Sequence, residues 1–221
     1  MKAEEHFNDT ADRYEGLIVN IIPNPALFFD SALDCIPDGR ITVLELGSGT
    51  GYVTEQILRK NPDAEITCID MTPEMLSIAR KKPTLAGVAF LEGDFRDVWP
   101  DGQFDVVITT LCLHHLPDAD RATIVRRIHT SLNNGGRFIN GDVFKPDHAW
   151  EEAIYSTRWG RYMTDHGLSE PEAEGMLAKR EKSYGFIDTF EQYRQKLIDA
   201  GFGRIFFPYH YDFYGVFIAF R

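Results

Sequence analysis

Apolar positions recur along the chain with two periods, and the switches between them mark the elements. Over residues 3–20, Phe7, Ala11, Tyr14 and Leu17 or Ile18 fall three or four apart, the spacing of one helix face. Pro23 and Pro25 stop this helix. Pro25 suits the first turn of a second helix, with Asn24 as its cap, Leu27, Phe28, Ala32 and Leu33 inward, and Pro37-Asp38-Gly39 as its end. From there short apolar runs alternate with amphipathic stretches. The runs are 41–44, 64–70, 88–92, 106–111 and 137–144. The stretches are 52–60 with Val53, Ile57 and Leu58 inward, 73–82 with Met75, Leu76 and Ala79, and 120–132 with Ile124, Val125, Ile128 and Leu132. The run 106–111 is apolar throughout, as a parallel strand buried on both faces should be. Such alternation predicts an α/β fold.

The second half departs from simple alternation. Asn133-Asn134-Gly135-Gly136 reads as a helix stop. Residues 145–187 are too many for a plain crossover and read as two or three helices forming a cap. Ser169 with Glu172 makes a capping box there, and Pro171 fits an early turn. A helix over 188–200, with Phe190, Tyr193 and Leu197 inward, stops at Gly201. Two adjacent strands, 205–209 and 214–220, close the chain. The expected organisation is an N-terminal helical cap over 1–38 and an α/β domain over 39–221, with a helical insertion at about 145–187.

Candidate chemistry gathers where runs give way to helices. The first run leads into Glu45-Leu46-Gly47-Ser48-Gly49-Thr50-Gly51. Glycines between strand and helix let a ligand approach the backbone, and the first amides of the helix face it. Tyr52 stands where a dinucleotide fingerprint needs its third glycine, which argues against a pyrophosphate cradle. Glu45 would repel phosphate and suits a ligand carrying an ammonium. Asp70 ends the second run, at the ligand-binding edge of an open α/β sheet, where its two oxygens can accept both hydroxyls of a ribose.

The glycine turn resembles motif I of the class I S-adenosylmethionine (SAM)-dependent methyltransferases, small-molecule type. Gly93-Asp94, the His114-His115-Leu116 segment, Ala200-Gly201-Phe202 and the terminal strand pair are similar to that family in the same order. The resemblance covers roughly residues 40–220. It implies a three-layer α/β/α Rossmann-like sandwich, a mostly parallel seven-stranded sheet of order 3-2-1-4-5-7-6, and a C-terminal antiparallel hairpin. It also implies SAM as cofactor, with S-adenosylhomocysteine (SAH) as product. Gly47, Ser48, Gly49 and Gly51 would lie under its methionine part and Glu45 would face it. Asp70 would hold the ribose, Met71 would lie against adenine, and Asp94 with the Phe95 amide would read the base. Thr110 and Leu111 would border the methyl group. His115 would orient or deprotonate the acceptor, or pin its loop. Phe7-x-x-x-Ala11-x-x-Tyr14 resembles the family's entry helix, in which Tyr14 would lie near the sulfonium or serve only as packing. Arg158, Trp159 and Tyr162 of the insertion would contact the acceptor, unless the aromatics pack on the core and the arginine stays solvated.

Three readings follow. The first is in-line transfer of the SAM methyl to a small molecule. The second is a carboxy-SAM synthase-like enzyme, in which Lys196 stands where the resemblance implies a carboxylate-binding Arg, with Arg194 two residues before. The third is a SAM-binding sensor or subunit without turnover.

Composition narrows the partners. The chain has 221 residues and a formal net charge of −11, a poor match for nucleic-acid backbones. Cys35, Cys68 and Cys112 form no C-x-x-C pair, and no His/Cys/carboxylate set has metal spacing. Neither a signal-peptide core nor a membrane-length apolar run is present in the sequence, so the expectation is a cytoplasmic protein with no membrane partner. The aromatic terminal strands could also form a homodimer edge.

Overall fold

A computed structural model describes residues 14–221. At its centre is a seven-stranded sheet of order β3-β2-β1-β4-β5-β7-β6, as expected. The strands are β1 (Thr42–Leu46), β2 (Glu65–Asp70), β3 (Ala89–Glu92), β4 (Phe104–Thr110), β5 (Leu132–Val143), β6 (Arg204–Tyr211) and β7 (Tyr214–Phe220). The first five run parallel, and β7 is antiparallel to β5 and β6. The helices are α1 (Tyr14–Ile21), α2 (Pro25–Leu33), α3 (Tyr52–Lys60), α4 (Pro73–Lys81), α5 (Asp118–Ser131), α6 (Ala149–Asp165), α7 (Glu170–Ser183) and α8 (Phe190–Asp199). Single 3-10 turns occupy Pro83–Leu85 and Leu113–His115.

Successive residues of a strand point to opposite faces, and here both faces are covered. Val43, Val106, Ile108 and Ile139 enter one core, shared with α1, α2, α3 and the insertion. Leu44, Leu46, Val107 and Phe138 enter the other, against Ile124, Val125 and Ile128 of α5 and Tyr193 and Leu197 of α8. This is why the strands read as near-continuous apolar runs.

Several local expectations are corrected. Leu27 is exposed. The buried stripe of α2 runs through Phe28, Phe29, Ala32 and Leu33, and position 27 lies about 100° round the helix from 28. Asn24 adopts a left-handed conformation, φ 53°, and its side chain caps nothing. The Asn-Asn-Gly-Gly segment is not a plain stop but the irregular start of β5. Leu132 pairs with Phe104 before a register shift, and Asn133 Nδ2 donates to Asp105 Oδ1 at 2.8 Å. A Cβ on Gly136 would sit 2.9 Å from the Asn133 carbonyl oxygen, so only glycine fits the bend. The insertion forms two helices, α6 and α7, and the Ser169–Glu172 capping box is present. Phe7 and Ala11 lie outside the described residues.

Helix α1 is pinned through its C-terminal carbonyls, which have no partners within the helix. Trp159 Nε1 of α6 donates to the Ile21 carbonyl at 2.6 Å, and Tyr214 Oη donates to the same oxygen at 3.1 Å. Tyr162 Oη reaches Val19 O, and Tyr209 Oη reaches Pro23 O at 2.9 Å. Trp159→Phe keeps the ring contact with Phe213 but loses the indole donor. The Ile21 carbonyl keeps Tyr214, so the expected loss is about 1 kcal/mol, the low end for a buried hydrogen bond. Urea unfolding of the variant measures it.

Candidate active site

The strand-to-helix turn after β1 uses its glycines in two ways. All three have positive φ, 69°, 55° and 77° at Gly47, Gly49 and Gly51. A Cβ on Gly47 would lie 2.4 Å from Cys112 Sγ, and one on Gly51 would lie 2.5 Å from Leu85 Cδ1. These two glycines let the turn pack down onto the protein. A Cβ on Gly49 would meet nothing within 4 Å, so the middle glycine faces open space. Beside it, Ser48 Oγ is buried with no hydrogen-bond partner among the described residues. An open backbone face next to an orphaned hydroxyl and buried Glu45 suits a polar, amino-bearing group such as the methionine end of SAM.

Asp70 sits at the carboxyl end of β2 and is buried. Oδ2 accepts from the Gly49 amide at 2.7 Å, and Oδ1 accepts from the Thr72 amide at 2.8 Å. One carboxylate thus fixes both the glycine turn and the start of α4, a capping task that the Thr72-Pro73 start of the helix does not remove. Burial pushes its pKa up, against the pull of these two amides. Met71 follows, 39% exposed. Asp94 lies beyond β3 with Oδ1 accepting from the Arg96 amide and Oδ2 paired with the Arg96 guanidinium at 2.6 Å. Despite burial, those bonds hold its pKa below the usual carboxylate range. The Phe95 side chain is buried in the core. The Gly93 amide donates to the Asp70 carbonyl at 2.9 Å, which brings the two acidic segments together at one sheet edge.

Glu45 points into the floor of the glycine turn. It accepts from Thr54 Oγ1 at 2.6 Å, and Cys68 Sγ lies 3.8 Å away. Burial pushes its pKa up to about 7, with Asp70 adding to the rise and the Thr54 hydroxyl opposing it. An acid raised in the fold favours folding at low pH, and that contribution is lost as pH climbs from the unfolded value through the folded one. From 4.5 to about 7 the loss is roughly 3 kcal/mol, at about 1.36 kcal/mol per pKa unit. Glu45→Gln is therefore expected to flatten the fall in stability between pH 4.5 and pH 7. Urea midpoints of both proteins across that range check it; parallel curves would contradict it.

Two hollows flank this turn. A narrow one of about 30 Å³ is lined by Glu45, Gly47, Ser48, Gly49, Thr110 and Leu111, with Ile18 of α1 and Phe29 of α2 also in its wall. A large one of about 970 Å³ lies under α1 and the insertion. Ile18 and Leu111 line both and form a wall common to the two spaces. Leu111 holds a left-handed conformation, φ 52°, with its amide donating to Gly141 O at 2.8 Å. A leucine in that region costs about 1–2 kcal/mol, and the strain sits in the wall the two hollows share.

The large cavity has mainly apolar walls, including Leu17, Ile21, Val143, Trp159, Met176 and Phe213. His114 and His115 line it too, their rings 3.9 Å apart. Arg180, buried in α7, lines it too; its Nε pairs with Glu152 at 2.7 Å and its guanidinium lies over the ring of Phe213, while Nη1 is buried with no hydrogen-bond partner among the described residues. Of the expected acceptor contacts, Trp159 lines this cavity, whereas Arg158 and Tyr162 are not in its walls. Arg158 donates to Tyr211 Oη at 2.7 Å and pairs with Asp212 at 3.2 Å. Tyr162 stacks on His166. The side chain of Tyr14 lies outside the described residues.

Burial pushes the Cys112 thiol far up, with Asp70 and Asp142 adding to it, so this sulfur is a neutral thiol. Two groups escaped the sequence reading. Asp142 is buried at the end of β5 beside His114, and an acidic residue at the carboxyl end of a parallel strand was the available signal. Arg121 is buried below the His114 turn. It stands three and four residues before Ile124 and Val125 on the buried stripe of α5, where its position could have marked it.

A methyltransferase-domain family model matches residues 43–136. An uncharacterized methyltransferase of Bacillus velezensis is 30% identical over 154 residues, 67% of this chain and 71% of that protein. The carboxy-S-adenosyl-L-methionine synthase of Chromohalobacter salexigens is 28% identical over 190 residues, 81% of this chain and 68% of that protein. The malonyl-[acyl-carrier protein] O-methyltransferase of Priestia megaterium is 29% identical over 99 residues, 45% of this chain; the match spans about a third of that relative, 35% of its length. Among solved structures, the DhpI–SAH complex matches 97% of this chain and 93% of its own, at 19% identity and a TM-score of 0.68.

Proposed function

The chain belongs to the class I SAM-dependent methyltransferases, and on that premise we propose that it methylates a small, largely apolar acceptor held in the cavity under the cap. The observation that carries this reading is the wall shared at Ile18 and Leu111. These two residues stand between the glycine-turn hollow, with its acidic and polar groups, and about 970 Å³ of mainly apolar space. A pocket of this size and lining fits a drug-sized organic molecule.

Bound SAM supplies a methyl group already activated by its sulfonium. The chain's tasks are therefore alignment and exclusion of water. The Gly47–Gly51 turn and Glu45 would hold the amino-acid end. Asp70 would hold the ribose while keeping the turn in place, and Asp94 with the Phe95 amide would take the base. Met71 would cover the adenine. Thr110 and Leu111 would border the reacting carbon, and Trp159 would wall the acceptor. His115 and Tyr14 remain the candidate contacts to the reacting groups carried by the family resemblance.

The similarity to the carboxy-SAM synthase raises a second reading. That reading asks for a cation from α8 to hold a carboxylate. Lys196 is instead bridged to Asp118 at 2.6 Å and Asp188 at 2.8 Å, and Arg194 pairs with Glu191. A sensor or subunit without turnover has no use for an acceptor cavity of this volume. Mass spectrometry of small molecules extracted from the purified protein tests all three. SAM or SAH supports methyl transfer, and a carboxylated SAM derivative supports the synthase. An empty protein whose melting temperature SAM does not raise overturns the cofactor assignment.

A further inference from the structure

Helix α7 turns one face to the large cavity. Gly175, Met176, Lys179, Arg180 and Ser183 line it, at the three- and four-residue spacing of a single helix face. Arg180 is the buried charge of that face, 6% exposed. Its donors divide into two edges. Nε donates to Glu152 Oε1 at 2.7 Å, and Nη2 donates to Glu152 Oε2 at 2.9 Å and to Phe144 O at 3.2 Å. That edge is complete. A guanidinium carries five N–H donors, and those on Nη1 are buried with no hydrogen-bond partner among the described residues. Phe213 covers a flat face of the guanidinium, its ring centre 3.2 Å from the central carbon. A ligand oxygen bonds in the guanidinium plane, so it leaves that stacking in place. Buried donors are nearly always paired. Here the unpaired edge belongs to a residue in the wall of a cavity, where a ligand would complete it.

We propose that the acceptor is an organic carboxylate and that Arg180 Nη1 binds its carboxylate group as a recognition handle. This rests on the methyl-transfer reading above. The chain's formal net charge is −11, yet of the three Lys, Arg, Asp and Glu residues described in the cavity wall, Lys179 and Arg180 are basic and only Glu172 is acidic. Glu152 neutralises Arg180, and Lys179 adds positive charge on the same face. A local basic pair in an acidic protein favours an anion at that wall alone. A phosphate fits less well, because the fork edge that would take it is held by Glu152 and its second charge has no further cation in the wall. An arginine-bound carboxylate has lone pairs engaged and is a weak nucleophile, so the methyl goes to another atom of the same molecule. The apolar body of that molecule packs among Leu17, Trp159 and Met176. This handle on α7 differs from the α8 cation of the synthase reading: the carboxylate belongs to the acceptor, not to a group on sulfur.

The test reads binding rather than turnover. The probes are hydrocinnamate and its uncharged amide, hydrocinnamamide, which share one shape and differ in charge. Calorimetry with SAH comes first: absence of SAH binding to the wild type overturns the methyl-transfer reading itself. With SAH bound, the wild type is expected to hold the acid at least about tenfold more tightly than the amide, the size of one charge-assisted hydrogen bond. Arg180→Lys keeps a cation beside Glu152 but has no second edge, and the double variant Arg180→Gln with Glu152→Gln removes both charges together. Both are expected to keep SAH binding and a wild-type circular dichroism spectrum and to lose the preference for the acid. The comparison of acid with amide on the wild type needs no variant, so it decides the acceptor's charge even where a variant fails to fold. Equal binding of the two probes by the wild type, binding of neither, or a preference that persists in a folded variant overturns the proposal while leaving SAM use intact.

Discussion

Asp70→Ala is expected to weaken SAM binding by about 100-fold or more while the protein stays folded. The size follows from the number of bonds that one side chain holds. Its two oxygens anchor the amides of Gly49 and Thr72, and a hydrogen bond to a charged group is worth about 1.5–3 kcal/mol. A tenfold change in affinity is about 1.4 kcal/mol. Losing the anchor of the glycine turn together with the ribose contact proposed above is therefore expected to exceed two decades. The fold survives because burial already raises the Asp70 pKa; the ionised group serves the site at some cost to stability. Asp70→Asn sharpens the test, since its amide nitrogen would set a donor against one of the two backbone donors. Calorimetric titration with SAM measures both variants, and wild-type affinity in either would refute the assignment.

The largest loss of stability is expected from Arg121→Met. Arg121 is 2% exposed, in the first turn of α5. Its Nη1 pairs with Asp188 at 2.5 Å, its Nε donates to Leu113 O at 3.1 Å, and its Nη2 donates to Leu116 O and Phe186 O. Methionine fills much of the space but supplies none of these donors. Breaking a buried ion pair from one side typically costs about 3–5 kcal/mol, because the partner charge stays behind. Lys196 also bonds Asp188, which places the expected loss near the lower end, about 3 kcal/mol. Leu113 and Leu116 bracket the turn that carries the two histidines, so the variant should also loosen that wall of the cavity. Urea denaturation gives the stability change; a loss under about 1 kcal/mol would mean that the guanidinium contributes only packing.

The α/β architecture and the glycine turn were legible because each is written locally, while the strand order came with the family resemblance that the motifs carry. Both-faces-buried strands such as Val106–Ile108 read as continuous apolar runs, and amphipathic stretches between them read as helices. A glycine with positive φ beside a strand end is a backbone requirement that leaves its mark in the sequence itself. The ends of elements were less legible. Asn133-Asn134-Gly135-Gly136 has the composition of a stop, yet Leu132 finds Phe104 across the sheet and makes the segment a bent strand.

The acceptor side of the site follows a different rule. Trp159 and Tyr162 look alike in sequence, but only Trp159 faces the cavity, because the crossing of α6 over α1 decides which side of the helix is covered. His114 and His115 are adjacent and chemically identical. The one that meets Asp142 is selected by the pairing of β4 with β5, which sets the turn after β4 beside the end of β5, 28 residues away. Sequence alone determined the periodic apolar pattern, the special backbone positions and the acids at strand ends, since these depend on a residue's own chain neighbourhood. Tertiary structure alone decided which polar groups share a wall, because proximity across the sheet arises from packing, and packing leaves no periodic trace in the chain.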